Sequence, residues 1–328
     1  MMFQSRERER PVADARGSDQ DTTGDIMTSS VLSRYLNPEV LAQVAERPIE
    51  PRGLVLGNLA GGHKSPLAGF AVEFAGHREY VIGDDPRHID WRVYYKRDRY
   101  VIKQYEMETN FVCHLLLDIS ASMRYGDGGE QKLQYASQLA ATLGYSIVRQ
   151  NDKVSLSTFD DRVRGHVPPG NSLAQIVKLT NHLDEVQPVQ KTNMADCLTE
   201  LTGRMSRREI VMIFSDFFTD LESLEAALQR LRYQKHEVVL FQVLHHHELT
   251  FEFEGMVKFL GLEADEELLT QSEDIRRGYL DALRTFEDNF TDLCHRNRIE
   301  RVVVDTRKSM SDVLMDYLTE RQRLSLSR

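Results

Sequence analysis

Beyond Asn110, short apolar runs alternate with longer stretches whose apolar residues recur at helical spacing. The runs VCHLLLD, VSLSTF, EIVMIFSD, EVVLFQVL and RVVVDT have the length and composition of strands. The other stretches predict helices near 131–149, 173–183, 194–205 and 221–231, a long helix opened by Ser272 and a last helix ending near Leu324. Apolar strands separated by amphipathic helices indicate a sheet covered on both faces. Residues 110–324 are therefore predicted to form an α/β domain with a doubly wound, mostly parallel sheet.

The first third of the chain follows a different pattern. Residues 1–29 are polar and charged, which predicts a disordered tail. Residues 30–52 form a helical segment in which Asn37-Pro38 is typical of a cap and first turn. Glycines punctuate short strand-like runs over 53–109, which predicts a small β unit containing the segment GDDPRHIDW. We expect two short strands joined at Glu254-Gly255, within 248–262, to complete this unit as a discontinuous subdomain.

Composition narrows the functional classes. The 328 residues are 41% hydrophobic, yet no apolar run approaches the roughly 18–20 residues of a membrane span, and the N-terminus has no apolar signal sequence. Three separated cysteines, Cys113, Cys197 and Cys294, are typical of buried reduced thiols. The net charge of −10 disfavours nucleic acid as a partner. We expect a cytoplasmic protein.

The strongest chemical signal is DISAS, which supplies Asp118, Ser120 and Ser122 directly after an apolar strand. Thr192 lies in a loop before a helix, and Asp216 ends another strand. Ligands of open α/β sheets bind at the carboxyl ends of strands, where these residues are expected to meet. Carboxylate and hydroxyl oxygens are the ligands that Mg²⁺ prefers, so the set predicts a metal site. The alternative is that Asp118 and the serines merely cap the following loop and helix.

Two other clusters favour structural roles. GDDPRHIDW is interpreted as a set of Asp–Arg pairs around a buried Trp91, with Pro86 starting a short helix. Successive side chains of a strand point to opposite faces, so His245, His246 and His247 cannot converge on a metal, and we expect a surface loop there. His114, inside an apolar run, is expected to be a core histidine with satisfied hydrogen bonds.

The same residues carry a family resemblance. Asp118, Ser120, Ser122, Thr192 and Asp216 resemble the metal-ion-dependent adhesion site of von Willebrand factor type A domains. That resemblance implies Mg²⁺ or Mn²⁺, with an acidic side chain of a partner protein completing the coordination. The segments GGHKSPLAGF and GDDPRHIDW, followed by DISASM, are similar to the bacterial domain-of-unknown-function family fifty-eight. Membership implies a type A domain with a small β appendage and, as partner, a MoxR-type AAA+ ATPase or its client.

Three functional hypotheses follow. The first is a non-enzymatic, metal-dependent protein-interaction module that serves as an adaptor or chaperone-like partner of the ATPase. The second is a Mg²⁺-dependent hydrolase or phosphatase, because Asp118 stands where aspartyl-phosphate enzymes place their nucleophile. Ser120 replaces the second acid of such sites, and no P-loop motif is present. The third is a scaffold with a vestigial metal site.

Overall fold

The computed structural model describes residues 31–45, 47–51, 60–64, 73–82, 84–106, 108–109, 111–186, 193–206, 208–261 and 267–326. The predicted tail over 1–29 lies outside these ranges. Within them, no helix is both long and apolar enough to cross a membrane.

The N-terminal helical segment packs on the main domain. One helical turn over 31–35 precedes helix α1, Pro38–Val44. Asn37 caps α1 by accepting a hydrogen bond from the backbone N–H of Glu39, as the Asn-Pro pair predicts. The buried Val40 and Val44 belong to the core of the central sheet. The segment is therefore part of the main core rather than a separate unit.

In its described residues, the small β unit contains two antiparallel strand pairs. Strand β1 (Ala60–Lys64) pairs with β4 (Glu108–Thr109), and β2 (Glu73–Glu79) pairs with β3 (Val101–Glu106). Between β2 and β3 lie a 3-10 turn at Pro86–His88 and helix α2, Trp91–Arg97.

Residues 84–91 of the GDDPRHIDW segment form turns and caps, as the structural interpretation predicts. The Asp85 side chain accepts from the N–H of Arg87 to start the 3-10 turn, and Asp90 caps α2. Asp84 pairs with Arg78 through two hydrogen bonds of 2.9 and 2.8 Å. The expectation that Trp91 is buried is wrong, because the residue is 51% exposed. It begins a short helix that buries none of its residues.

A six-stranded sheet forms the centre of the main domain. Its strands are β5 (Val112–Asp118), β6 (Lys153–Phe159), β7 (Val163–Gly170), β8 (Ile210–Ser215), β9 (Glu237–Leu244) and β12 (Glu300–Asp305). Their order across the sheet is β12-β9-β8-β5-β6-β7, with every neighbouring pair parallel except β6 and β7. The predicted doubly wound, mostly parallel α/β fold is confirmed. The antiparallel edge strand β7 was not among the predicted elements.

Helices cover both faces of this sheet. They are α3 (Lys132–Arg149), α4 (Leu173–Glu185), α5 (Met194–Thr202), α6 (Leu221–Tyr233), α7 (His246–Thr250), α8 (Ser272–Arg296) and α9 (Met310–Leu326). One apolar core contains residues of α1, α3, α4 and α9, and the other contains residues of α5, α6 and α8. All three cysteines are buried and free, in agreement with the prediction of reduced thiols.

The two cores define a switch point in the sheet. Strand β5 is followed by α3 on one face, whereas its neighbour β8 is followed by α6 on the other face. The connections that leave the carboxyl ends of β5 and β8 therefore diverge and open a crevice between them. Ligands of open α/β sheets bind in such crevices.

The region after β9 differs from the expected hairpin. Residues His246–Thr250 form helix α7, and Phe251 ends it in the left-handed conformation. Strand β10 (Met256–Leu260) begins directly after Gly255 and pairs with β11 (Glu267–Gln271). The prediction of two strands joined at Glu254-Gly255 is therefore wrong. Within the described ranges, β10 and β11 form a sheet of their own, separate from the strands of the small β unit.

Candidate metal centre

The first loop of the candidate site leaves the end of β5. Asp118 is the last residue of that strand, and both it and Ser120 are fully buried. The N–H of Ser120 donates to Asp118 Oδ1 over 2.9 Å, and the Oγ atoms of Ser120 and Ser122 lie 3.1 Å apart. A 3-10 turn over Ala121–Arg124 follows, with Met123 buried in the core. The loop is thus held at both ends, and its two hydroxyls lie side by side.

The second loop follows β8, next to the first. Because Leu117 pairs with Phe214 in the sheet, Ser215 lies beside Asp118, and its hydroxyl donates to Asp118 Oδ2 over 2.6 Å. Asp216 is the next residue and is 3% exposed. Its Oδ1 accepts a 3.2 Å hydrogen bond from the N–H of Phe218. The structure therefore brings both predicted aspartates to one rim of the sheet.

Phe217 gives the second loop an unusual backbone. Its φ of 59° lies in the left-handed region, where a bulky side chain raises the conformational energy of the backbone. The Phe217 N–H donates to Ser215 Oγ over 3.0 Å, and its buried ring packs 5.3 Å from that of Phe290. Burial of the ring offsets the strain.

Thr192, the remaining predicted ligand, lies outside the described residues. The following residue, Asn193, donates its backbone N–H to the carbonyl oxygen of Asp160 over 2.9 Å. Asp160 comes directly after β6, the neighbour of β5. The start of α5 is therefore fixed at the same edge of the sheet as Asp118.

Asp160 adds a third buried carboxylate at this edge, which the sequence analysis missed. Its Oδ1 accepts from Arg164 Nε over 2.6 Å. Its Oδ2 is buried and, in the described part of the chain, has no hydrogen-bond partner. The signal was available, because Asp160 follows an apolar strand in the same way as Asp118 and Asp216.

Lys132 is the most consequential residue that the sequence analysis missed. It opens α3 and is fully buried. Its Nζ lies 2.8 Å from Asp216 Oδ2 and 2.8 Å from Glu248 Oε1. Lysine is almost never buried without a partner. The sequence does contain a signal, since Lys132 shares a helical face with Ala136 and Leu139.

Glu248 reaches the site from α7. Its Oε2 accepts from the N–H of His245 over 2.8 Å, and His245 Nδ1 accepts from the N–H of His247. This reciprocal capping box fixes the start of the helix. His245 is 5% exposed and packs edge-on against Tyr125, 5.0 Å away. The expectation of a surface loop at the three histidines is therefore wrong.

Burial controls the protonation of the site. Burial, together with the nearby charge of Asp216, raises the pKa of Asp118 to about 7 despite hydrogen bonds that favour the carboxylate. Burial also raises the pKa of Glu248, although Lys132 opposes the shift. For Lys132, burial acts to lower the pKa, but the charges of Asp216 and Glu248 outweigh it and the net shift is upward.

The residues at this rim fit a hard divalent cation. Octahedral Mg²⁺ with ligands at about 2.0–2.1 Å places neighbouring oxygens about 2.9 Å apart, close to the 3.1 Å between the two serine hydroxyls. The rim carries three carboxyl groups, those of Asp118, Asp216 and Glu248, against the single ammonium of Lys132. Among the described residues, no cluster of three or more His, Cys, Asp or Glu is arranged to hold a metal. Such a centre therefore depends on hydroxyl ligands.

His114, by contrast, has a structural role, as expected. Its ring nitrogens lie 2.7 Å from Ser155 Oγ and 2.8 Å from Glu209 Oε2, in the interior of the sheet. Both nitrogens are satisfied away from the candidate site.

Several solved structures are similar to this chain. BatB from Bacteroides thetaiotaomicron matches 65% of this chain and 100% of its own, with 15% identity and a TM-score of 0.42. An aerotolerance-related membrane protein from Bacteroides fragilis NCTC 9343 has the same coverages, 14% identity and a TM-score of 0.43. The VWA domain of SpRpn10 matches 63% of this chain and 95% of its own, with 11% identity and a TM-score of 0.34.

Sequence comparison identifies the family. No protein with a curated description matches the chain. The model of the family described as "Protein of unknown function DUF58" matches residues 76–288, which is more than half of the sequence and includes both GDDPRHIDW and the candidate metal centre. The resemblance inferred from those segments is confirmed, and the chain belongs to the DUF58 family.

Proposed function

We propose that the protein is a non-enzymatic interaction module that captures a partner protein through a divalent cation, Mg²⁺ or Mn²⁺. The observation that carries this proposal is the convergence of Asp118, Ser120, Ser122 and Asp216 at the switch point of the sheet. Thr192 is proposed as a further ligand on the family resemblance.

The chemistry of this donor set suits capture of an acidic side chain. A cation bound by few charged ligands stays electrophilic and can accept a carboxylate from outside. Asp118 and Ser120 are fully buried, whereas Ser122 is partly exposed, so a partner would approach from the side of Ser122. The partner proposed from the family resemblance is a MoxR-type AAA+ ATPase or its client, with the present chain as adaptor.

An affinity capture experiment tests this function. The full chain is immobilised and challenged with the purified ATPase in Mg²⁺ or in a chelator, as wild type and as Asp118→Ala. Asp127→Ala is the matched control, because Asp127 is exposed in the same segment and its side chain does not cap the next turn. Capture is expected in Mg²⁺ for the wild type and the control, and loss of capture is expected in chelator or with Asp118→Ala. Capture that persists in chelator would refute the proposal.

The hydrolase alternative gains one supporting observation. Phosphoryl-transfer sites use a lysine to neutralise phosphate, and Lys132 lies 2.8 Å from Asp216. Against it, both oxygens of Asp118 accept hydrogen bonds and the residue has no exposed surface for nucleophilic attack. Turnover of a generic phosphoester that disappears with Asp118→Ala would favour the hydrolase. Absence of Mg²⁺ or Mn²⁺ binding in calorimetry would instead favour the scaffold with a vestigial site.

A further inference from the structure

A lysine ammonium occupies one oxygen of the aspartate proposed to hold the cation. Lys132 Nζ donates to Asp216 Oδ2 and to Glu248 Oε1 at equal distances of 2.8 Å. The lysine side chain is 1% exposed, so water cannot take over either contact. The ammonium is therefore shared between a carboxylate of the candidate metal centre and one that is not among the proposed ligands.

Glu248 is positioned to hold the Lys132 ammonium without help from Asp216. Its second oxygen is fixed by the backbone N–H of His245, which orients the first oxygen towards Lys132. The Lys132 backbone is also anchored, since its N–H donates to the Tyr125 carbonyl over 3.0 Å. Only the flexible end of the lysine needs to move for the ammonium to leave Asp216 and stay on Glu248.

We propose that Lys132 is a built-in competitor of the divalent cation, and that Glu248 receives the ammonium when the cation binds Asp216. This inference rests on the cation binding of the proposed function. Two cations at one carboxylate repel each other, strongly so where water is excluded. The lysine therefore lowers cation affinity, and the glutamate partly restores it by drawing the ammonium away from Asp216.

Calorimetric titration of the full chain with Mn²⁺ at neutral pH tests the proposal through affinity rather than through partner capture. Lys132→Met is expected to bind Mn²⁺ about tenfold more tightly than wild type, since removal of a neighbouring positive charge corresponds to at least about one pKa unit of interaction. Glu248→Gln is expected to bind several-fold more weakly, because Lys132 is then held by Asp216. Lys153→Met, at the amino end of β6, makes the same charge change remote from the site and is expected to leave the affinity unchanged.

The double variant Lys132→Met/Glu248→Gln is a control for the possibility that a single variant misfolds because it leaves a buried charge unpaired. It removes one positive and one negative charge, so it preserves the net charge of the rim while freeing Asp216 from the ammonium. It is expected to bind Mn²⁺ more tightly than Glu248→Gln alone. The competition would be overturned if Lys132→Met bound Mn²⁺ no more tightly than wild type and the double variant bound it no more tightly than Glu248→Gln.

The outcomes separate this inference from the proposed function. Binding by Lys132→Met with none by wild type would support the competition and reject a cation-dependent function of the natural protein. Binding by wild type that the lysine substitution does not strengthen would reject the competition and leave the proposed function standing. An absence of binding in every variant would reject both.

Discussion

Asp118→Asn tests the electrostatics of the rim directly. Asp118 is fully buried, and burial with the charge of Asp216 raises its pKa to about 7. Asparagine has nearly the same shape and carries no charge at any pH. Its carbonyl oxygen can still accept from the Ser120 N–H, whereas the Ser215 hydroxyl loses its carboxylate acceptor.

The expected magnitude follows from linkage. A pKa raised from 3.8 to about 7 means that the folded state binds a proton more tightly than the unfolded state. The resulting stability is fully present below about pH 4 and is lost as the pH rises towards 7, for a total of about 4 kcal/mol at 1.36 kcal/mol per unit. Loss of the Ser215 hydrogen bond costs about 1 kcal/mol. Asp118→Asn is therefore expected to be about 3 kcal/mol more stable than wild type at pH 8.

Urea unfolding in a chelator measures this difference at pH 8 and at pH 4. At pH 4 the wild-type residue is already protonated in the folded state, so the advantage should disappear and the asparagine variant should be about 1 kcal/mol less stable. Asp127→Asn, an exposed aspartate in the same segment, should change stability little at either pH. Equal destabilisation by Asp118→Asn at both pH values would refute the argument that burial of a charge governs this site.

Three further outcomes are expected. Mg²⁺ at one hundred times its dissociation constant should raise the free energy of unfolding by about 2.7 kcal/mol, and a Tm unaffected by Mg²⁺ would contradict cation binding. Arg321→Met should destabilise the fold by about 3–5 kcal/mol in urea, because the buried guanidinium pairs with Glu237 and Glu300. Trp91→Ala should cost about 1 kcal/mol or less, since the residue is 51% exposed. A loss of about 3–5 kcal/mol, which is typical of a buried aromatic residue, would contradict the exposed position of Trp91.

The sheet and its helices were predictable because their patterns are local. Each central strand except β7 appears as an apolar run, and each major helix shows an apolar face. Strand β7 was missed because it lies at the edge, is largely polar and contains Pro168 and Pro169, which edge strands tolerate. Helix α7 was missed because three consecutive histidines conceal the capping box between His245 and Glu248.

The site was predictable only in part, for a physical reason. The proximity of Asp118 and Asp216 could be predicted because the carboxyl ends of neighbouring parallel strands lie at the same edge of the sheet. The contact between Lys132 and Glu248 joins residues 116 positions apart, and no local pattern specifies it. The position of Lys132 on an apolar helical face was a signal for a buried acidic partner, which the sequence analysis did not use, and it does not specify which carboxylate that partner is.

Phe217 stores backbone strain immediately beside Asp216, and such strain costs roughly 1–3 kcal/mol. The packing of its ring against Phe290 supplies the compensation, so the shape of this loop is set by the core of the protein. A rim that is already ordered loses little conformational entropy on association. For the proposed capture of a partner, the association rate is then expected to depend on diffusion and on charge, rather than on any folding of the loop.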